Sequence, residues 1–298
     1  MELRSALEDA GTRIDAFLAT PLGSRSRAQR LLEAGAVTLD GRKVLKSAKL
    51  AGGETIAIDE SLDRAEGPAD VGEGEPAEFG VAWEDEHLLV VEKPTGVVVH
   101  PARGHHSGTL AQALAGRAAG GEQGWRAGIV HRLDRDTSGL LVVAKSERVH
   151  RELKERLAAR EITREYAALV EGRPPARSGT IDAPIGRDRR VRTRNSTDTD
   201  EPREARTHFE LAEALPRHTL LRVRLETGRT HQIRVHLQAI GFPVAGDPEY
   251  GTVGLLGLRR QFLHAARLAF THPVTGEPVV AASPLPADLA SALERARG

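Results

Sequence analysis

Asp134 lies in the most chemically loaded stretch of the chain, Gly128-Ile129-Val130-His131-Arg132-Leu133-Asp134-Arg135-Asp136-Thr137-Ser138-Gly139-Leu140. Two carboxylates, two arginines and a histidine stand between the apolar runs Ile129-Val130 and Leu140-Leu141-Val142-Val143. Such runs read as buried strands, where charges are costly unless they serve a purpose. Gly128 and Gly139 mark turns on either side. A carboxylate at the rim of a sheet beside arginines is a candidate nucleophile or general base. Asp136 is read as structural, satisfying turn amides or an arginine.

Two further segments set polar groups at the ends of elements. In Arg160-Glu161-Ile162-Thr163-Arg164-Glu165-Tyr166-Ala167-Ala168-Leu169-Val170, Tyr166 opens a strand and is one of only two tyrosines in the chain. It could equally be a core aromatic with its hydroxyl at the surface. In Leu225-Glu226-Thr227-Gly228-Arg229-Thr230-His231-Gln232-Ile233-Arg234-Val235-His236 a strand ends at a glycine turn and a helix begins. Arg229 is the guanidinium expected to pair with a carboxylate such as Asp134. Its plainer reading is one surface arginine among many.

The elements that must position these groups form two regions. In residues 1–60, Thr12 is expected to cap a helix carrying Ile14, Phe17 and Leu18, and Ser26 a second one carrying Ala28, Leu31 and Leu32, which Gly35 ends. Val37-Thr38-Leu39 then leads through Asp40-Gly41 into a hairpin, with Thr55-Ile56-Ala57-Ile58 as a later strand. Arg25, Arg27 and Arg30 flank the second helix, and Arg42, Lys43, Lys46 and Lys49 surround the hairpin. Residues 61–78, poor in apolar groups and rich in Gly, Pro and Glu, read as an acidic flexible linker. In residues 79–298 strands are expected over 87–92, 97–100, 140–145, 166–171 and 219–226. Helices are expected over 109–117, 147–160 and 230–240. The polar stretch 187–200 reads as a mobile loop. Without a regular βαβ repeat, the fold class is α+β: a small αβ domain, then a mixed, largely antiparallel sheet with flanking helices.

The formal net charge of zero hides segregation. Residues 61–86 hold nine acids against one base, and residues 25–49 seven bases against two acids. From residue 87 onward 32 bases face 24 acids, which points to a polyanionic partner. With no cysteine there are no disulfides, thiolate metal sites or sulfur redox chemistry. No apolar stretch approaches a membrane span and the first ten residues lack the apolar core of a signal peptide, so a cytoplasmic protein is expected.

The segments His-Arg-Leu-Asp-Arg-Asp-Thr-Ser-Gly, Arg-Glu-Tyr-Ala-Ala-Leu-Val and Glu-Thr-Gly-Arg-Thr-His-Gln-Ile-Arg-Val-His, in this order, resemble the catalytic signatures of the RluA family of pseudouridine synthases. Val90-Val91-Glu92-Lys93-Pro94-Thr95-Gly96-Val97-Val98-Val99-His100-Pro101, 243–251, 260–265 and His272-Pro273 extend the likeness, and residues 1–60 resemble an S4 RNA-binding domain. This combination is most similar to the branch that modifies large-subunit ribosomal RNA. The acidic patch at 196–201 departs from what RNA contact would favour.

The resemblance implies conversion of uridine to pseudouridine: the N1–C1′ bond breaks, the uracil rotates, and C5 joins C1′. An isomerisation requires no cofactor and no metal. Asp134 would act at C1′ as a nucleophile or at C2′ as a base, and the residues leave that open. Arg132, placed on the same strand face as Asp134, would manage the flipped base. Tyr166 would stack on the uracil and help remove the C5 proton. Arg25, Arg27, Arg30, Arg42 and Lys43 would contact RNA phosphates, and the protein would act on RNA as a monomer.

Three other readings fit less well. A glycosidase also uses two carboxylates, but ten aromatic residues in 298 leave few platforms for sugar rings. A metal hydrolase would draw on His100, His105, His106, His131, His231 and His236, but they show no His-Glu-x-x-His or similar ligand spacing. A non-catalytic RNA-binding or ribosome-assembly factor would not need Asp134, Tyr166 and Arg229 together.

Overall fold

The amphipathic spacing at the N-terminal end builds a small four-stranded module. The computed structural model describes residues 1–22, 25–62, 77–101, 107–121 and 127–298, with the backbone alone at 25, 26 and 30. The described chain groups into two units, Met1–Gly67 and Pro68–Gly298. The expected linker falls almost wholly at 63–76, outside the described residues, as do His105 and His106.

In the first unit β1 (Glu2–Arg4), β2 (Val37–Leu39), β3 (Arg42–Lys43) and β4 (Thr55–Ile58) form an antiparallel sheet in the order β1-β4-β2-β3. Helices α1 (Ile14–Phe17) and α2 (Arg25–Glu33) pack against it, with Ile14, Leu18, Ala28, Leu31, Val37 and Ile56 in the core. The β2–β3 hairpin turns on Asp40 and Gly41, whose φ angles of 48° and 76° give the left-handed pair that a two-residue hairpin requires. The helix starts differ from expectation. Arg13, not Thr12, is the residue before α1, and Ser26 lies inside α2. β1 has no counterpart in the sequence reading, because three residues are too few to show a period.

The second unit contains β5 (Gly80–Glu84), β6 (Leu88–Lys93), α3 (Leu110–Ala113), β7 (Ser138–Ala144), α4 (Glu147–Ala158), β8 (Thr163–Glu171), β9 (Ser178–Asp182), β10 (Gly186–Arg187), β11 (Asn195–Ser196), β12 (Arg206–Ala214), β13 (His218–Leu225), α5 (Gln232–Ala239), β14 (Leu263–Thr271), β15 (Pro278–Ala282) and α6 (Ala287–Arg297). Nine strands make one sheet in the order β5-β6-β7-β14-β8-β13-β12-β9, with β15 also paired to β14. Every pairing is antiparallel except the short parallel match of β14 with β7. The chain is thus α+β with a mixed, largely antiparallel sheet.

Both faces of the central strands are covered, which is why β6 and β7 read as continuous apolar runs. Leu88, Val90, Leu140 and Val142 share one core with Val149 and Leu153 of α4. Leu89, Val91, Leu141 and Val143 point into the other, with Leu110 of α3, Ile233 of α5 and Leu289 of α6. Ser146 caps α4 by accepting from the Val149 amide, and Val149 and Leu153 are fully buried one turn apart. Each stabilises the unit by about 1.5–3 kcal/mol.

Two expectations are corrected. Residues 97–100 are not a strand, since the Pro94-Gly96 turn carries the chain off the sheet. The stretch 187–200 is a hairpin built on β10 and β11, not an unstructured loop. The Tyr250 hydroxyl pins it by accepting from the Asn195 amide at 3.2 Å and donating to the Asn195 carbonyl at 3.1 Å.

Candidate active site

Asp134 stands on a loop that enters β7, and not on a strand. Ahead of it only Ile129 makes a bridge, to Val143, and the Thr137 amide closes a turn onto the Asp134 carbonyl at 3.1 Å. The two flanking glycines are required. Gly128 and Gly139 have φ of +67° and +111°, and a Cβ on them would stand 2.1 Å from the Ala144 carbonyl oxygen and 2.3 Å from that of Ala265. Only glycine lets this loop press into the sheet at both ends.

Buried polar groups hold the loop from behind. Lys93, fully buried at the end of β6, donates its three N–H bonds to the carbonyls of Pro94, Val97 and Arg135 at 2.7, 2.9 and 2.8 Å. Burial draws its pKa down to about 7, against the pull of Asp136 and Asp134. Arg260, forked onto Asp288 at 2.7 and 3.0 Å, donates to the Asp136 carbonyl at 2.9 Å, and Gln261 donates to the Thr137 hydroxyl at 3.1 Å. The Asp136 carboxylate pairs with its neighbour Arg135 at 2.9 Å, the structural role expected of it.

The guanidinium at Asp134 belongs to Arg234, not Arg229. Arg234 Nη1 stands 3.4 Å from Asp134 Oδ2, while Nε and Nη2 fork onto Asp247 at 2.6 and 2.8 Å. Glu249 adds a third carboxylate at 3.5 Å, and the Tyr250 ring lies 4.9 Å below the guanidinium. Burial opposes the arginine's charge, but Asp247 and Asp134 outweigh it and raise its pKa. Arg229 also lines the cleft, but its Nε donates to the Glu204 carbonyl at 2.9 Å. The physical reason is the start of α5. Thr230 and His231, the latter at φ 57°, turn the chain before the helix begins at Gln232. Arg229 therefore stays outside, and Arg234 on the first turn faces inward.

The cleft, about 510 Å³ and open to solvent, brings together Asp134, Tyr166, Arg132, Arg164, Arg229 and Arg234. Tyr166 enters from β8, paired with Val223 and Ala265 on its two sides. Burial raises its phenol pKa, Arg164 opposes that shift and Asp134 adds to it, so the ring is neutral. Arg132 is exposed at the cleft. The strand-face relation expected between Arg132 and Asp134 does not hold, because the segment is a loop. His131 lies behind, half-buried, its pKa pushed down to about 3 by desolvation, Arg164 and Lys154, and its Nε2 accepts from the Val142 amide. It is a neutral structural ring. Among the described residues no three His, Asp or Glu side chains come together as metal ligands.

The expected RNA contacts of the first unit divide. Arg42 and Lys43 are exposed on the hairpin. Arg27 pairs with Glu60 at 3.2 Å and donates to the Leu22 carbonyl. Arg25 and Arg30 lie on α2, and their side chains are outside the described residues.

Arg234, Asp247, Lys93 and Arg260 are the positioning groups that sequence reasoning passed over. Their signal was a charge inside an apolar context: Arg234 between Ile233 and Val235, and Lys93 at the end of Leu88-Leu89-Val90-Val91.

Comparison with known proteins agrees with this architecture. The profile of the RNA pseudouridylate synthase family matches residues 87–239, and that of the S4 domain residues 12–56. The chain is 42% identical over 306 aligned residues to the RNA pseudouridine synthase YlyB of Bacillus subtilis, covering all of this chain and 98% of that one. It is 43% identical over 297 residues to the ribosomal large subunit pseudouridine synthase D of Xanthomonas campestris, covering 94% and 87%. Among solved structures, human RNA pseudouridylate synthase domain containing 1 aligns with a TM-score of 0.56 at 26% identity, over 72% of this chain and 86% of that one. An S4 domain followed by a catalytic sheet with an arginine-paired aspartate at its rim places this chain in the RNA pseudouridylate synthase family.

Proposed function

We propose that this enzyme converts specific uridines of large-subunit ribosomal RNA to pseudouridine, acting in the cytoplasm as a monomer. The observation that carries the reading is the cleft in which Asp134, ion-paired to Arg234, faces Tyr166. The relatives named for the large ribosomal subunit support the substrate class. No described helix is long and apolar enough to cross a membrane.

The target uridine leaves its stack at a cost of about a few kcal/mol, and Arg132 at the open side of the cleft occupies or guards the vacated space. Asp134 then acts on the ribose, by attack at C1′ or by removal of the C2′ proton. Either route releases the uracil from C1′ inside the cleft. Tyr166 offers its ring face to the base. Since burial keeps its phenol protonated, its part at C5 is that of a relay, taking that proton while passing its own to water. C5 joins C1′, and N1, freed of its sugar bond, takes up a proton from the water that received the relayed one. Arg229, at the cleft mouth, is placed for the phosphate backbone and not for Asp134.

The test is Asp134→Asn. The variant forms no pseudouridine in transcribed large-subunit RNA and binds that RNA within about twofold of wild type, since only a transition-state interaction is removed. Appreciable turnover by the variant refutes the assignment. Mapping pseudouridines in ribosomal RNA from cells lacking the protein identifies the positions it modifies.

A further inference from the structure

Arg164 is a buried cation without an anionic partner among the described residues. It stands on β8 two residues before Tyr166, so both side chains leave the same face of the strand. Of the three arginines buried among the described residues, Arg234 is neutralised by Asp247 and Asp134, and Arg260 by Asp288. Arg164, 6% exposed, has no carboxylate partner among the described residues. Its Nη2 reaches three carbonyls at the end of β13, those of Leu225, Glu226 and Thr227, at 3.3, 3.2 and 3.4 Å. These contacts are long and shared, at or beyond the far end of the hydrogen-bond range. Its Nε is buried with no acceptor at all.

The same side chain lines the catalytic cleft. Gly228 lies against it, and a Cβ there would stand 3.1 Å from Nη1. The glycine of the Glu-Thr-Gly-Arg segment thus makes room for this guanidinium. Burial pulls the Arg164 pKa down, and Tyr166 is the group that raises it. An unpaired buried charge costs several kcal/mol. A charge left uncompensated in a cleft, beside the residues of the reaction, is compensated when the reaction supplies the opposite sign.

We propose that Arg164 is a further catalytic residue, donating to a uracil carbonyl and stabilising the uracil anion released when the N1–C1′ bond breaks. This rests on the reading that the cleft accepts a flipped uridine. In that step the electron pair of the N1–C1′ bond departs with the base and spreads onto O2 and O4. On the sugar side, C1′ either bonds to the Asp134 carboxylate or becomes part of the alkene formed when the C2′ proton is lost. Asp134 carries the wrong sign to hold the leaving base, and the charge of Arg234 is taken up by three carboxylates. Arg164 remains. Its guanidinium is already in place, so no reorganisation is needed as the charge develops. When C5 bonds to C1′ the same anion is consumed, and the guanidinium is free for the next turnover.

The experiment is a chemical double-mutant cycle on the full-length protein. Arg164→Gln lowers kcat by about 10² to 10³ and leaves RNA affinity within about twofold, as for loss of one donor to a developing anion. Target RNAs carrying 2-thiouridine or 4-thiouridine then replace each carbonyl in turn by a weaker acceptor. For wild type, one of the two substitutions lowers kcat; for Arg164→Gln, that same substitution costs nothing more. A purely structural role would make the two losses multiply, and that result overturns the proposal, as does a kcat for Arg164→Gln close to wild type. Should Arg164→Gln fail to fold, Arg164→Lys repeats the cycle with a point charge in place of the fork. It must show a reduced kcat and the same loss of sensitivity to the thio-substitution; multiplying effects there also overturn the proposal. Wild type that forms no pseudouridine overturns the enzyme reading and this proposal with it, whereas an active wild type with multiplying effects overturns the proposal alone.

Discussion

Replacing Arg234 by methionine separates what this arginine does for the fold from what it does for Asp134. The side chain is 5% exposed, and methionine keeps most of its length and apolar bulk. What is lost is the fork onto Asp247, a carboxylate with no exposure at all. Stranding a buried charge by removing its partner costs about 3–5 kcal/mol. Asp247 Oδ1 still accepts from the amides of Glu249 and Tyr250 at 2.9 and 3.1 Å, which sets the loss toward the lower half of that range. At about 2–4 °C per kcal/mol for a unit of this size, Arg234→Met melts about 6–16 °C below wild type. The double variant Arg234→Met/Asp247→Asn removes the stranded charge while keeping an oxygen for the two amides, and regains at least half of the loss. It remains inactive, because Asp134 still lacks its guanidinium. Thermal unfolding by circular dichroism and pseudouridine formation on transcribed RNA read the two effects separately. A single variant melting with wild type, or a double variant no more stable than the single, refutes the buried-charge reasoning. Recovery of activity in the double variant refutes the role of Arg234 at Asp134.

Lys93 carries a pH signature. Its folded pKa near 7 lies below the ordinary 10.5, so between these values the unfolded chain binds the proton and the native chain does not. Its contribution to stability is therefore fully present above pH 10.5 and is lost as pH falls to 7. From pH 7 to pH 9 wild type gains about 2–3 kcal/mol relative to Lys93→Met in urea unfolding, and parallel pH profiles would refute the depressed pKa. On the S4 unit, Arg42→Ser/Lys43→Ser weakens RNA binding and reduces the slope of log affinity against log salt by about 1.5, and an unchanged slope excludes this hairpin from phosphate contact.

The parts of the site that were legible in the sequence are those where a polar group breaks an apolar pattern. Asp134 was chosen on that ground, and Arg132 and Tyr166 through the family resemblance; all three line the cleft. The expected pairing of Arg229 with Asp134 is taken by Arg234 instead, because spacing does not show where a helix begins. With α5 starting at Gln232, nearly every residue from Gln232 to Leu237 is buried, and such a helix forces its arginine into an ion pair. Ile240, the last residue of the expected helix 230–240, is 36% exposed just beyond the helix end. The long central strands β6 and β7 were readable as apolar runs. β12 and β14 were not, because polar residues such as Glu210, Arg267 and His264 alternate through them and find partners only in the folded sheet. The β10–β11 hairpin was missed for a related reason: its order comes from Tyr250, over fifty residues away in the chain.

The position of β14 bears on when the enzyme comes into being. This strand fills the slot between β7 and β8, pairing His264 and Ala265 with Ser138 and Gly139 on one side and Tyr166 with Ala265 on the other. The loop of Asp134 and the strand of Tyr166 are neighbours only through it. During synthesis the chain must hold β7 and β8 apart, unjoined, until residues beyond 260 have left the ribosome. At about 5–20 residues per second that wait lasts several seconds. Sheet closure across such a sequence separation is slow and comes late. The S4 unit, made of local contacts within residues 1–62, folds long before it. The S4 unit is thus complete before the catalytic cleft exists, and the two sides of that cleft are joined by the insertion of a single strand.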